Sequence, residues 1–360
     1  MSIPPRLPPG WAQPATPATA AATGLATSAC PSPTPPPGAP GAGPVMLSEA
    51  VRAVLRRMHY SPRTEEAYLH WVREFVRFHG RRHPRDLAGP EITAYLNHLA
   101  VEREVAASTQ NQALCALIYL YKHVLRIELP ALAGLERAKR PIHLPTVITK
   151  PEALRLIDCL NDPSKLIAQL LYGSGLRLME CLALRIKDVD LERRQLTVRR
   201  GKGGKDRPAI LPRVLWSDLR HQMALVEARH KVAVRAGQGE VDLPYALHRK
   251  LPGAATSLEW QYLFPAARPC LDERSGRRVL HHLHESVVQG AITAASALAH
   301  LGKRVTAHTL RHSFATELLQ ANVDIRTIQT LLGHEDVSTT MIYTHLVDQG
   351  PLGVRSPLDR

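Results

Sequence analysis

The chain has no run of eighteen apolar residues, so no stretch of it can span a bilayer as a helix. Cysteine is scarce as well: five in 360 residues (Cys30, Cys115, Cys159, Cys181, Cys270), an odd and scattered set with no CxxC pair. That pattern excludes a disulfide framework and a cysteine-type zinc site, and it suits a reducing cytoplasm. There is no GxxxxGK[ST] phosphate loop and no internal repeat. Acid is in deficit too, with 32 Asp and Glu against 46 Lys and Arg, a net charge of +14. Such an excess favours a polyanionic partner, either nucleic acid or an anionic membrane surface. What remains is a chain 44% hydrophobic and long enough to bury two separate cores.

Charge is almost missing from one end. Residues 1–44 hold a single charged side chain, Arg6, and 13 of the 29 prolines in a background of Ala, Thr, Gly and Ser. A segment of this composition cannot bury a core, so 1–45 is expected to be a disordered leader. It has neither the basic start and apolar centre of a secretory signal nor the arginines of a mitochondrial transit peptide. Without it, 45 basic residues still face 32 acidic ones, so the excess charge belongs to the folded part.

From Met46 onward the apolar residues take a helical period. Ser48 is expected to cap a helix running to about Tyr60. Ser61-Pro62 opens a second, with Ala67, Tyr68, Trp71, Val72, Phe75 and Val76 on one face. A third spans Glu91 to about Glu104, with Ile92, Tyr95, Leu96 and Leu99 inward, and Ser108 is expected to cap a fourth over Thr109–Leu125. Together these predict a helical domain over 46–136. The stretch 137–145 follows, with Arg137, Lys139 and Arg140, two prolines and no acid, an exposed linker able to lie along phosphates. Beyond it, 187–191, 195–199 and 207–211 are expected strands, with the glycine-rich 201–205 turning between the last two. The expected class is mainly α with a small antiparallel sheet, the second domain covering 146–349 and a tail 350–360.

Four short motifs carry chemistry. Arg177 follows a glycine-flanked turn at a helix start, where its guanidinium can fork onto phosphate oxygens while Glu180 orients it. His308 and Arg311 stand three apart, on one helical face, so both can reach the same anion. Gly333-His334 reads as a helix end that aims His334 outward, and Tyr343 comes nine residues later. Singly, each has an ordinary structural explanation: a surface Arg, a satisfied His, a helix cap, a core Tyr.

In that order, with the lysines of Gly201-Lys202-Gly203-Gly204-Lys205 between, the set resembles the tyrosine recombinases over nearly all of 46–357. It narrows to the integron integrases on Tyr60-Ser61-Pro62-Arg63-Thr64-Glu65, Ser108-Thr109-Gln110-Asn111-Gln112, Trp260-Gln261-Tyr262-Leu263-Phe264-Pro265, His281-His282-Leu283-His284-Glu285 and Gly353-Val354-Arg355-Ser356-Pro357. The resemblance implies a helical core-binding, SAM-like domain and a catalytic domain that close round DNA. It implies that Tyr343 attacks a scissile phosphodiester to give a 3′-phosphotyrosyl enzyme and a free 5′-hydroxyl. The bond energy is kept in that link, so no ATP is required. Arg177, Arg311, His308 and His334 would stabilise the charged phosphoryl transition state, work otherwise given to metal ions. The proton donor to the leaving oxygen would be Lys202, with Lys205 its competitor; both are equally plausible as plain phosphate contacts.

The resemblance also implies a family insert near 237–256 that recognises attC sites, folded single-stranded hairpins with extruded bases, with Trp260, His281 and His282 beside the base pocket. A half-buried Trp and a polar strand end explain those three equally well. His281, His282 and His284 invite a zinc reading, but adjacent histidines on a strand face opposite ways and no other donor but Glu285 has ligand spacing, so no metal and no cofactor is expected. Gly290 and Thr293 stand where integron integrases usually carry basic residues, and Gly290 weakens its helix.

The expected reaction is recombination between a duplex attI site and an attC hairpin by four copies of the chain, in the cytoplasm, with the tail packing on a neighbouring copy. The alternatives are a Xer-type or phage-type recombinase of duplex sites, and an architectural DNA-binding protein whose catalytic set is a relic. Met46, directly before the first periodic segment, is the candidate start of translation; N-terminal sequencing of the native protein should then begin there, and a Met1 end would refute it.

Overall fold

The computed structural model describes residues 46–129, 145–199, 206–244, 247–251, 253–272 and 276–343. The chain divides between Ile142 and His143 into two units. The leader, the linker with Arg137, Lys139 and Arg140, the turn with Lys202 and Lys205, and the tail all lie outside the described residues.

The N-terminal unit is built from α1 (Leu47–Arg57), α2 (Pro62–Phe78), α3 (Gly89–Val101) and α4 (Ala107–Tyr119). Ser61 caps α2 by accepting the Thr64 N–H at 3.2 Å, and Pro62 takes the first helical position, where its missing N–H leaves nothing unpaired. Tyr68, Leu69, Trp71, Val72 and Phe75 of α2 are buried against Ile92, Tyr95, Leu96 and Leu99 of α3 and Leu114 and Leu117 of α4. Two expected caps are corrected: α1 starts from Met46 and α4 from Ala106, neither with a side-chain cap bond, so Ser48 and Ser108 lie inside their helices. A cap is worth only about 1 kcal/mol, less than the burial of Leu55 in α1 and of Ala113 and Leu114 in α4, so neither helix needs a capping side chain. After α4 the chain continues as a π-helical turn over Leu120–Leu125. It buries Tyr121, whose hydroxyl lies 2.8 Å from the Pro84 carbonyl and 3.0 Å from that of Leu87.

The C-terminal unit begins with α5 (Lys150–Asp158), whose Thr149 and Glu152 satisfy each other's backbone N–H groups. Next come α6 (Ser164–Ser174) and α7 (Leu178–Leu182), then β1 (Val189–Asp190), β2 (Gln195–Val198) and β3 (Arg207–Ile210). The strands are antiparallel in the order β1-β2-β3, with Leu196 opposite both Val189 and Ala209. β1 is shorter than expected because Ile186–Asp188 is a 3-10 turn, held by the Asp188 carboxylate on the Arg185 N–H at 3.0 Å. The long α8 (Trp216–Arg235), the short α9 (Leu247–Lys250) and the pair β4 (Cys270–Leu271) and β5 (Arg278–Val279) follow. The unit is completed by α10 (Glu285–Leu298), α11 (Ala307–Gln320), α12 (Ile325–Leu332) and α13 (Val337–Met341).

Its centre is α6, which packs on α5, α10 and α11 and buries Ile167, Ala168, Leu170 and Leu171 completely. The fold is therefore mainly helical with small antiparallel sheets, as expected. Among the described residues no helix is long and apolar enough to cross a membrane.

Gly175 ends α6 in the left-handed region, φ +65°, and a Cβ there would run into the Phe314 ring of α11 and approach Leu332 to 3.2 Å. Gly175→Ala should therefore destabilise this unit by about 1–3 kcal/mol through overpacking on top of the dihedral penalty. Gly276→Ala, with φ +66° but open space around it, should cost only the dihedral term. Thermal unfolding of the two variants checks the difference.

Candidate active site

α6 and α12 end close together, and the loops that leave them deliver the site. Gly175 turns the chain so that Arg177 becomes the N-cap of α7. Glu180, at the third position of α7, accepts the Arg177 backbone N–H at 2.9 Å and its Nη1 at 2.7 Å. Arg177 Nη2 reaches the Gly333 carbonyl at 3.3 Å, just past the end of α12.

Arg311 rises from α11 beneath this pair and is only 3% exposed. Its Nη1 donates to the Gly175 carbonyl at 2.5 Å and its Nη2 to the Leu332 carbonyl at 2.6 Å. Those carbonyls belong to the last turns of two helices, where the backbone dipole is negative and the acceptors have no intrahelical partner. Burial and the neighbouring Arg177 push the Arg311 guanidinium down to about 9, so it stays charged at neutral pH. Its Nη2 also lies 3.2 Å from His334 Nε2, and His334 Nδ1 lies 2.9 Å from the buried Thr340 hydroxyl. Since the guanidinium can only donate, His334 accepts at Nε2 and carries its proton on Nδ1 toward Thr340.

His308, one turn before Arg311, is solvent-facing. Desolvation, then Arg311 and Arg177, hold its pKa below the ordinary imidazole value. Tyr343 is 2% exposed, and burial raises its phenol against the lowering pull of Arg311 and Arg177. The Tyr343 hydroxyl lies 2.8 Å from Nδ1 of His312, and its ring stacks on His334 with centroids 6.3 Å apart. Arg177, His308, Arg311, His334 and Tyr343 thus line one cavity of about 390 Å³.

Three contributors were not singled out from the sequence. Arg207, first residue of β3, donates Nη2 to Glu180 at 2.6 Å, while its Nε and Nη1 are buried without a partner. A Cβ on Gly333 would collide with its side chain, which keeps that position small. Thr340 fixes the His334 tautomer, and His312 meets Tyr343. The one signal for His312 is its place directly after His308-x-x-Arg311.

A second cluster gathers Trp260, His281 and His282. Trp260 is half-buried, with the Arg185 guanidinium 5.4 Å from its ring and the Lys187 ammonium over the same ring. Arg185, itself buried, donates to the Trp260 and Asp242 carbonyls and lies 3.1 Å from the Tyr262 hydroxyl, which donates to the Asp242 carboxylate at 2.7 Å. The His281 and His282 rings stand side by side, centroids 4.1 Å apart, which corrects the expectation that they face opposite ways. Strand β5 ends at Val279, and Leu280 and His282 make only isolated bridges to Val241 and Pro265, so strand alternation does not apply. On α10, Gly290 has open space round it and the Thr293 hydroxyl donates back to the Gln289 carbonyl at 2.9 Å, so neither position offers positive charge.

Comparison with known proteins gives the geometry its context. The model described as "Phage integrase family" matches residues 146–349, and "Phage integrase, N-terminal SAM-like domain" matches 47–131. An "Integrase/recombinase" of Escherichia coli is 47% identical over 315 residues, 88% of this chain and 94% of that protein. The tyrosine recombinase XerA of Thermococcus kodakarensis is 32% identical over 289 residues, covering 79% of this chain and 85% of its own. The crystal structure of the XerH site-specific recombinase bound to difH substrate, a pre-cleavage complex, shares the fold with a TM-score of 0.56 and 18% identity, covering 83% of this chain and 82% of that one. The chain belongs to the phage integrase family and is a site-specific tyrosine recombinase, an enzyme that breaks and rejoins DNA strands.

Proposed function

We propose that the enzyme is an integron integrase, which integrates and excises gene cassettes by recombining a duplex attI site with a folded attC hairpin. The observation that carries the chemistry is the convergence of Tyr343, Arg177, Arg311, His308 and His334 on one cavity. Tyr343 Oη attacks the scissile phosphorus, the P–O5′ bond breaks, and the chain is left joined through a 3′-phosphotyrosyl link. Negative charge grows on the non-bridging oxygens as the fifth bond forms. Arg177, with its side chain a quarter exposed, binds one of them, and Arg311 reaches the other from its buried seat. His308 adds a further donor, and His334, held between Arg311 and Thr340, fixes the direction of the Arg311 guanidinium. Lys202 protonates the leaving O5′, with Lys205 gripping the backbone. The free 5′-hydroxyl of the partner strand then attacks the phosphotyrosine and restores a phosphodiester.

The attC reading is supported by the second cluster. A half-buried indole backed by two cations, beside two imidazoles and Tyr262, is a stacking platform for an extruded base, sequence-tolerant because every base has a π-face. The basic run Arg137, Lys139 and Arg140 follows phosphates between the two domains, and four copies hold the two DNA partners, the tail of each on its neighbour. Reaction on duplex sites alone is the second reading, favoured by the 32% identity to a Xer recombinase.

Covalent trapping on a labelled attC bottom strand, its top strand and its duplex decides between them. Capture should favour the bottom-strand hairpin and disappear in Tyr343→Phe; capture on duplexes alone selects the second reading. Trp260→Ala should weaken hairpin capture about tenfold, the loss of one base stack, and leave attI cleavage within about twofold. Equal losses on both sites would assign Trp260 a structural role.

A further inference from the structure

We infer that His312 is the group that takes the phenolic proton of Tyr343 when the tyrosine attacks, an inference that rests on the reading of Tyr343 as nucleophile. The geometry is direct: Nδ1 of His312 and Oη of Tyr343 are 2.8 Å apart, although 31 residues separate them in the chain. A phenol attacks phosphorus poorly while it holds its proton, and burial holds the proton on Tyr343. An acceptor within hydrogen-bond reach of the reacting oxygen is therefore needed.

His334, the ring stacked on Tyr343, does not fill that role. Its Nε2 is engaged by Arg311 and its Nδ1 points its proton at Thr340, so neither nitrogen has a lone pair for the tyrosine. Arg177 and Arg311 are donors only. His308 shares the helix face with His312, ring centroids 6.3 Å apart, and stands at the solvent-facing rim of the cavity.

The surroundings of His312 keep it neutral and ready to accept. Burial, then His308 and Arg311, hold its pKa down to about 4, so at neutral pH the ring carries one proton. Placing that proton on Nε2 leaves the Nδ1 lone pair aimed at the tyrosine. The charges that face it are those of the phosphate site itself: Arg311 and His308 from its own helix, and Arg177 and Glu335 across the cavity. A bound phosphodiester offsets the cationic field of the arginines, which raises the basicity of His312 just where a charged intermediate is forming. The step balances: Oη–P forms, P–O5′ breaks, the Oη proton passes to Nδ1 of His312, and the leaving O5′ takes a proton from Lys202, the donor proposed above. Rejoining runs the same path backward, with His312 returning its proton to Tyr343.

The test measures single-turnover formation of the covalent adduct on whichever DNA the wild type captures, together with DNA binding. His312→Asn keeps an acceptor near the Nδ1 position but cannot take a proton. It should form adduct about 100-fold more slowly or worse, with binding within about twofold, and His312→Ala should be partly restored by added imidazole. The loss should persist on a DNA with sulfur as the bridging leaving atom, which needs no acid, so the defect lies on the nucleophile side. An Asn variant as fast as wild type, or an Ala variant that imidazole leaves unchanged, overturns the inference. Adduct formation by Tyr343→Phe would instead overturn the reading of Tyr343. Should the variants fail to fold, nitrogen-15 NMR of the wild-type histidines serves: His312 should be neutral with its proton on Nε2 at pH 7, and a protonated ring or the other tautomer refutes the proposal.

Discussion

The site depends on how a full positive charge is kept out of water. Arg311 is buried almost completely, and an unpaired guanidinium there would cost several kcal/mol. The fold meets that cost with the last carbonyls of α6 and α12 and with the carboxylate of Glu180, 3.7 Å away. Both helix ends must therefore come together at one point, and the loops that leave them, Gly175–Arg177 and Gly333–His334, are brought there as a result. Two more side chains of the cavity, Arg177 and His334, are thus positioned by the same requirement that seats Arg311. Glu180 is the shared counter-charge: it receives Arg177, Arg207 and, at longer range, Arg311. With Glu335 at the cavity wall, two carboxylates stand against three guanidinium groups, which leaves the site net cationic and suited to an anion.

Local signals in the chain account for much of the architecture. Ser61-Pro62 marks the start of α2 because a cap and a first-position proline act within one turn. The inward faces of α2 and α3 follow from period alone. The motifs around Arg177, His308-x-x-Arg311, Gly333-His334 and Tyr343 stand out because order along the chain is itself information once a family shares it. Signals failed where the deciding interaction is remote. Ser108 looks like a cap, yet α4 begins before it, held by the buried Ala113 and Leu114 without a capping side chain. Arg207 meets Glu180 across 27 residues and His312 meets Tyr343 across 31, and no local pattern encodes either meeting. The side-by-side His281 and His282 depart from strand alternation because the sheet stops at Val279.

Arg207 links this constellation to the strands. It is the first residue of β3, two positions after Lys205, and it wedges beneath Gly333 while holding Glu180. Two of its buried donors lack partners, at a cost of about 1–3 kcal/mol each. Such an expense persists where the residue fixes a geometry, here the distance between the sheet edge and the arginine pair. A shift at the start of β3 is then felt at Glu180 and, through it, at Arg177 without any further relay.

The near-complete enclosure of Tyr343 bears on the fate of the covalent link, not only on its making. A phosphotyrosyl bond open to solvent is a substrate for water, and an enzyme that let water reach it would cut DNA and leave it cut. On the proposed roles, a tyrosine oxygen flanked by His312 and His334 and opening only onto the cavity that the phosphate would fill restricts the approach of water. The nucleophile best placed to reopen the link is another DNA end carried in by the partner complex. On those roles, restricting access to this oxygen separates a recombinase from a nuclease, and the two activities differ by who is admitted to one largely buried atom.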